Sequence, residues 1–100
     1  MELKQLATVI TELRDKYELD VMDILILDTV NDLCKEEGSV LTMQLLSAFK
    51  GASNVTTHAH MKKLLRLGLL IRTYEPTNLR IKRVKMTDEA IQLIEFIKGF

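Results

Sequence analysis

Within the stretch GASNVTTHAHMKKLLRLGLL, residues 51–70, the chemically able side chains come in two groups. Ser53, Asn54, Thr56, Thr57, His58 and His60 offer hydroxyls, an amide and two imidazoles, and Lys62, Lys63 and Arg66 follow as cations. Such groups can ligate a metal, pair a nucleophile with a base, or hydrogen-bond to a polar polymer. Spacing argues against the first: His58 and His60 lie two residues apart, about 200° around a helix, whereas residues four apart share a face. Cys34 sits in an apolar helical run with no histidine near it in sequence, which reads as a buried small side chain. A single cysteine also leaves no intrachain disulfide and no cysteine-rich zinc site. No phosphate-cradling glycine loop, nucleophile elbow or metalloprotease helix occurs. The sequence therefore points to no enzyme, cofactor or metal, and the polar cluster reads as a hydrogen-bonding surface whose meaning depends on the fold around it.

The elements follow from periodicity and capping residues. Leu3, Leu6, Ile10, Leu13 and Tyr17 alternate at spacings of three and four, the seam of a helix over about residues 2–17. From Asp20 to Glu36 the chain is apolar around most of a helical circumference, a central buried helix that Gly38 closes. Val40 and Leu41 suit a very short strand. Thr42 is placed to cap a third helix running to Gly51, and Ser53 to cap a fourth that ends at Gly68. Two β-rich runs then flank Pro76-Thr77-Asn78 as a hairpin, with Leu69 and Ile71 on one face and Val84 and Met86 on the other strand's matching face. Ile81 is out of phase with Val84, so a bulge or loose tip is expected near residues 79–82. Thr87 caps a last helix, about 88–99, with acids in its first turn and Ala90, Leu93 or Ile94, Ile97 and Phe100 along an apolar stripe.

One hundred residues, 47% hydrophobic and 28% charged, describe one globular domain spanning 1–100 with a single modest core. The apolar runs are short and the start is MELKQLA, so neither a membrane span nor a secretory signal is expected, and the chain is placed in the cytoplasm. The net charge of zero hides a partition. Residues 1–37 hold ten acids against four bases, residues 38–86 nine bases against Glu75 alone, and residues 87–100 three acids against Lys98. A basic middle bounded by acidic ends suggests that one face meets a polyanion.

The order is helix, helix, helix, tight turn, helix, basic hairpin, helix: a mainly α fold with a small β-hairpin, of winged helix-turn-helix type. Spacing assigns Thr57, Met61, Leu64 and Leu67 or Leu65 of the fourth helix to the core. Ser53, Asn54, Val55, Thr56, His58, Ala59 and Lys62 are left outside. Major-groove base edges need such groups: Asn matches adenine, Thr offers a hydroxyl and a methyl, His or Lys can donate to guanine, and Ala59 keeps the helix slim. Lys62, Lys63 and Arg66 lie where a helix leaving the groove passes phosphates. His60 is expected at the edge of the helix interface.

From Leu41 to about Ile97 the chain resembles the winged helix-turn-helix domain of the MarR family of bacterial transcription regulators. The resemblance rests on Ser53-Asn54-Val55-Thr56-Thr57, on Leu64-Leu65-Arg66-Leu67-Gly68-Leu69-Leu70-Ile71-Arg72, and on Val84-Lys85-Met86-Thr87-Asp88-Glu89-Ala90. The last piece is similar to the family's V-x-L-T-x-x-G signature, with Met86 and Ala90 as departures. At the wing tip the family's Asp-Arg-Arg is Asn78-Leu79-Arg80, so Arg80 alone carries over as a minor-groove contact, with Asn78, Lys82 and Arg83 around it. The chain is also shorter than family members usually are, chiefly in the terminal helices that build their dimer and help form an effector pocket.

The resemblance implies a homodimeric regulator of transcription, a repressor reading an inverted repeat in double-stranded DNA through helix 53–67 and wing 69–86. The dimer interface is expected from Leu3, Leu6, Ile10, Leu13, Tyr17, Ile94, Ile97 and Phe100. A small-molecule effector stays open, without support from the sequence. Two other readings stay open on sequence: a plasmid or phage partition or replication-control protein coating repeated sites, and a winged helix that binds an acidic protein partner without DNA.

Overall fold

The computed structural model describes residues 3–99, and of Leu6 the backbone alone. Its elements, in chain order, are α1 (Leu3–Tyr17), α2 (Val21–Leu33), β1 (Val40–Leu41), α3 (Thr42–Ala48), α4 (Asn54–Arg66), β2 (Leu70–Glu75), β3 (Asn78–Met86) and α5 (Asp88–Lys98). Strand order is β1-β3-β2, antiparallel throughout. The expected mainly helical winged helix-turn-helix with a hairpin is the observed architecture. Of the expected interface residues, Phe100 and the Leu6 side chain lie outside the described residues.

The α1–α2 corner is closed by Glu18, whose φ of 61° is the left-handed conformation. Leu19 N–H donates to Leu13 O at 3.2 Å across it, and Leu19 is fully buried. Helix α2 starts on a reciprocal cap: Asp20 accepts from Asp23 N–H at 2.9 Å, and Asp23 accepts from Asp20 N–H at 3.0 Å. Ile26, Leu27 and Val30 of α2 lie at the centre of the core, wholly enclosed. The helix ends at Leu33, three residues before the expected Glu36, because the chain turns through Cys34–Glu37 to reach Gly38 (φ 76°).

Helix α3 differs from expectation at both ends. Its cap is Leu41, whose N–H is taken by the Gln44 side chain at 3.1 Å, so Thr42 becomes the first helical residue. It ends at Ala48 because Phe49 turns extended (ψ 112°) and lays its ring over Gly51. A Cβ on Gly51 would stand 2.6 Å from Phe49 Cζ, so this turn depends on glycine's lack of a side chain.

Gly68 (φ 76°) turns α4 into the sheet, with Leu69 N–H donating to Leu64 O at 3.0 Å. Leu69 therefore belongs to the helix cap, and strand alternation begins at Leu70. Leu70 is buried opposite Met86, and Ile71, expected to face inward, is 46% exposed. Thr87 ties the base of the hairpin to α5: its hydroxyl donates to Gly68 O at 2.9 Å and accepts from Ala90 N–H at 3.2 Å. Ala90, Leu93 and Ile94 then join Val9 and Leu13 of α1 in the same core. No described helix is long and apolar enough to cross a membrane.

Candidate nucleic-acid interface

Helix α4 begins at Ser53, whose hydroxyl accepts from Thr56 N–H at 3.2 Å and lies 3.1 Å from the Thr56 hydroxyl. That cap satisfies one of the helix's free donors and presents the first turn at the surface. Thr57, Met61 and Leu64 are wholly buried beneath it, against Leu45 of α3 and the α2 core. Burying this stripe sets the roll of the helix. Asn54, Val55, Thr56, Ala59 and Lys62 are consequently exposed, with Val55 82% open, and His58 is half-buried. Asn54, Val55, His58, Ala59 and Lys62 line, with Leu46 of α3, an open groove of about 460 Å³. An amide, an imidazole and an ammonium thus surround small apolar groups on a convex rod, the group types that base edges and thymine methyls require.

The opposite flank of α4 does different work. Asp23 of α2 is fully buried, and its Oδ2 lies 2.6 Å from Lys63 Nζ while its Oδ1 lies 2.6 Å from His60 Nδ1. Burial pushes the Asp23 carboxyl up, but the hydrogen bond from Lys63, the Asp20 N–H and His60 outweigh it and hold the group below the ordinary aspartate value. Lys63, expected among the phosphate contacts, is instead the counter-charge of a buried aspartate. His60 sits at the helix interface, as its position suggested. Asp20, Asp23 and His60 bring donor atoms within 4.8 Å of one another, a separation that also suits a metal. Here the reciprocal cap, the imidazole and the Lys63 ammonium already use those oxygens. Sequence reading missed Asp23. Two signals pointed to it: an Asp-x-x-Asp cap at residues 20–23, and His60 and Lys63 three apart on one face of α4. Arg66 reaches Glu18 across solvent at 3.4 Å, both side chains 65% exposed. It keeps the freedom to leave that partner.

In the wing, Arg83 is also placed differently from expectation. It lies 2.8 Å from Glu37, 3.1 Å from Glu75 and 2.8 Å from Ser39 Oγ, and is 16% exposed. Its planar fork pins the hairpin to the turn between α2 and β1, a bracing role. Asn78 Oδ1 accepts from Arg80 N–H at 3.0 Å, which fixes the tip backbone. Among the described residues, Arg80, Lys82 and Lys62 have no ion-pair partner. Helix α4 and the hairpin therefore each offer exposed cations without an ion-pair partner among the described residues.

The residues expected at a dimer interface divide. Leu13 and Ile94 are buried in the chain's own core, Ile10, Tyr17 and Ile97 are half-buried, and Leu3 is 84% exposed. Exposed Phe96 and Ile91 extend the apolar surface of α5, and a groove of about 270 Å³ between α1 and α5 is lined by Val9, Leu13, Tyr17, Leu93 and Phe96.

No family model matches the chain, and no curated protein matches it significantly. Solved structures do. A Staphylococcus aureus MepR–DNA complex superposes with a TM-score of 0.78 at 14% identity, over 96% of this chain and 75% of that one. A mutant of Escherichia coli MarR complexed with operator DNA gives 0.67 at 13% identity, over 92% and 62%. The transcriptional regulator BldR from Sulfolobus solfataricus gives 0.65 at 18% identity, again over 92% and 62%. The chain thus spans under two thirds of the length of MarR and BldR and three quarters of that MepR structure. It has the winged-helix fold of the MarR-type regulators.

Proposed function

We propose that this MarR-like winged helix is a sequence-specific double-stranded DNA-binding regulator of transcription, working in the cytoplasm as a homodimeric repressor. The observation that carries the reading is the roll of α4: burial of Thr57, Met61 and Leu64 leaves Asn54, Val55, Thr56, Ala59 and Lys62 facing out. MepR and MarR, whose solved complexes contain DNA, share this fold. In the proposed complex α4 enters the major groove. Asn54, Thr56 and His58 read base edges, Val55 and Ala59 meet thymine methyls, and Ser53 and Lys62 meet the backbone. Arg66 and Lys82 add phosphate contacts, Arg80 enters the minor groove, and Asn78 supports the tip.

Leu3, Ile10 and Tyr17 of α1, with Phe96 and Ile97 of α5, are the candidate surface for a second copy. Two-fold pairing there sets two recognition helices roughly 34 Å apart, matching an inverted repeat. Enrichment of duplexes from a randomised pool, followed by titration at two salt concentrations, tests the reading. Support is a palindromic consensus bound more tightly than scrambled duplex, with affinity falling steeply as salt rises. Absence of binding to any duplex at low salt would remove the proposal and leave an acidic protein partner for the basic face.

A further inference from the structure

The tip of the wing carries a feature that phosphate binding does not use. Tyr74 pairs with Lys82 and Glu75 with Asn78, so the register slips and Leu79, Arg80 and Ile81 have no residue opposite them. A bulge of this kind turns side chains out of the ladder. Leu79 is 72% exposed, Ile81 is 38% exposed, and Arg80 lies between them without an ion-pair partner among the described residues. The Asn78 side chain holds the Arg80 N–H at 3.0 Å, so the protruding segment is preorganised by its own backbone contact.

Resting on the DNA-binding reading above, we propose that Leu79 is an apolar wedge that enters the minor groove beside Arg80, parts a base step and bends the duplex. The cations select an anionic occupant, and a leucine standing beside them gains nothing from phosphates. Within a nucleic acid the apolar surface available to it is the face of a base pair, reached by partial unstacking. Proteins that insert Leu, Phe or Ile in this way kink DNA toward the major groove. Reach permits it: β3 runs from buried Met86 to Asn78, roughly 25 Å at about 3.3 Å per residue. The minor groove beside an occupied major groove is about half a helical turn away, roughly 17 Å. Flexible pyrimidine–purine steps cost least to part, so the wedge also confers a preference at positions α4 does not touch.

The test uses the full chain and a duplex that it has itself enriched from a randomised pool, carrying a dye at each end. Saturating wild-type protein is expected to raise energy transfer between the ends, as bending shortens their separation. Leu79→Ala trims an exposed side chain and leaves the fold intact. It is expected to bind within about tenfold of wild type while transfer stays at the value of free duplex. Arg80→Ala is expected to weaken binding and flatten its salt dependence, yet to bend the duplex at saturation. Wild-type binding without a change in transfer, or equal bending by Leu79→Ala, overturns the wedge and leaves DNA binding in place. Failure to enrich any duplex overturns both.

Discussion

Lys63 Nζ and Asp23 Oδ2 stand 2.6 Å apart, joining α4 to the N-terminus of α2 through a carboxylate that solvent does not reach. The Lys63 side chain keeps 26% of its exposure, so the pair is asymmetric: the cation can swing into water and the anion cannot. Lys63→Met is therefore expected to cost about 3 kcal/mol, since it leaves a buried carboxylate with His60 and one backbone N–H. Asp23→Asn removes the anion and keeps the cap oxygen, for about 1–2 kcal/mol. In urea denaturation the double variant is expected to lose at least about 1 kcal/mol less than the sum of the two. Strict additivity would show that the contact contributes nothing to folding.

The same carboxylate sets a dependence on acid. Its folded-state affinity for protons lies below the ordinary aspartate value of about 3.8. The unfolded chain therefore binds the proton more readily, and the stabilisation is complete above about pH 4 and is lost as pH falls through the folded value. The urea midpoint of the wild type should drop more steeply below pH 4 than that of Asp23→Asn. Parallel acid limbs for the two proteins would mean that Asp23 titrates alike folded and unfolded.

These two residues also mark where the sequence stopped being legible. Periodicity and capping residues located all five helices, and the caps Ser53 and Thr87 and the terminator Gly68 stand where capping chemistry placed them, whereas α2 ends at Leu33, ahead of Gly38. Helical spacing also identified Thr57, Met61 and Leu64 as the buried stripe, because within one helix the geometry is fixed. Long-range pairing is not written in local spacing. Lys63 and Asp23 are 40 residues apart, and Arg83 meets Glu37 across 46. A lysine that salt-bridges inward and one left exposed at the surface, such as Lys62, have the same local signature. The α1 seam was legible in part for a related reason: Val9 and Leu13 join residues of α5 in the chain's own core, and the heptad-like pattern that includes Leu3 and Ile10 does not say which neighbour covers each residue.

Arg83 supplies a separate test of bracing against DNA contact. Its fork holds Glu37, Glu75 and Ser39 together, geometry that a lysine cannot reproduce. Arg83→Lys keeps the charge and is expected to lose about 1–2 kcal/mol. Amide hydrogen exchange over β2 and β3 should accelerate, while the salt slope of DNA binding stays that of wild type. In Arg83→Gln, which removes the charge, a slope reduced by about one with unchanged exchange would instead return Arg83 to the phosphate contacts.

The division of labour along α4 separates two kinds of loss. Asn54 offers an amide at the first exposed position, and Lys62, two turns on, offers a bare charge with no partner among the described residues. Asn54→Ala is expected to weaken the preferred duplex by about 1–3 kcal/mol at one base position and to leave scrambled duplex almost unaffected, because a base contact discriminates. Lys62→Ala should weaken both duplexes alike and lower the salt slope by about one, because a phosphate contact releases counterions wherever it forms. Neither residue supports the core, so both variants should unfold at the wild-type urea midpoint. Discrimination that survives Asn54→Ala at every position would show that the reading face lies elsewhere, and His58, half-buried in the same groove, would be the next residue to replace.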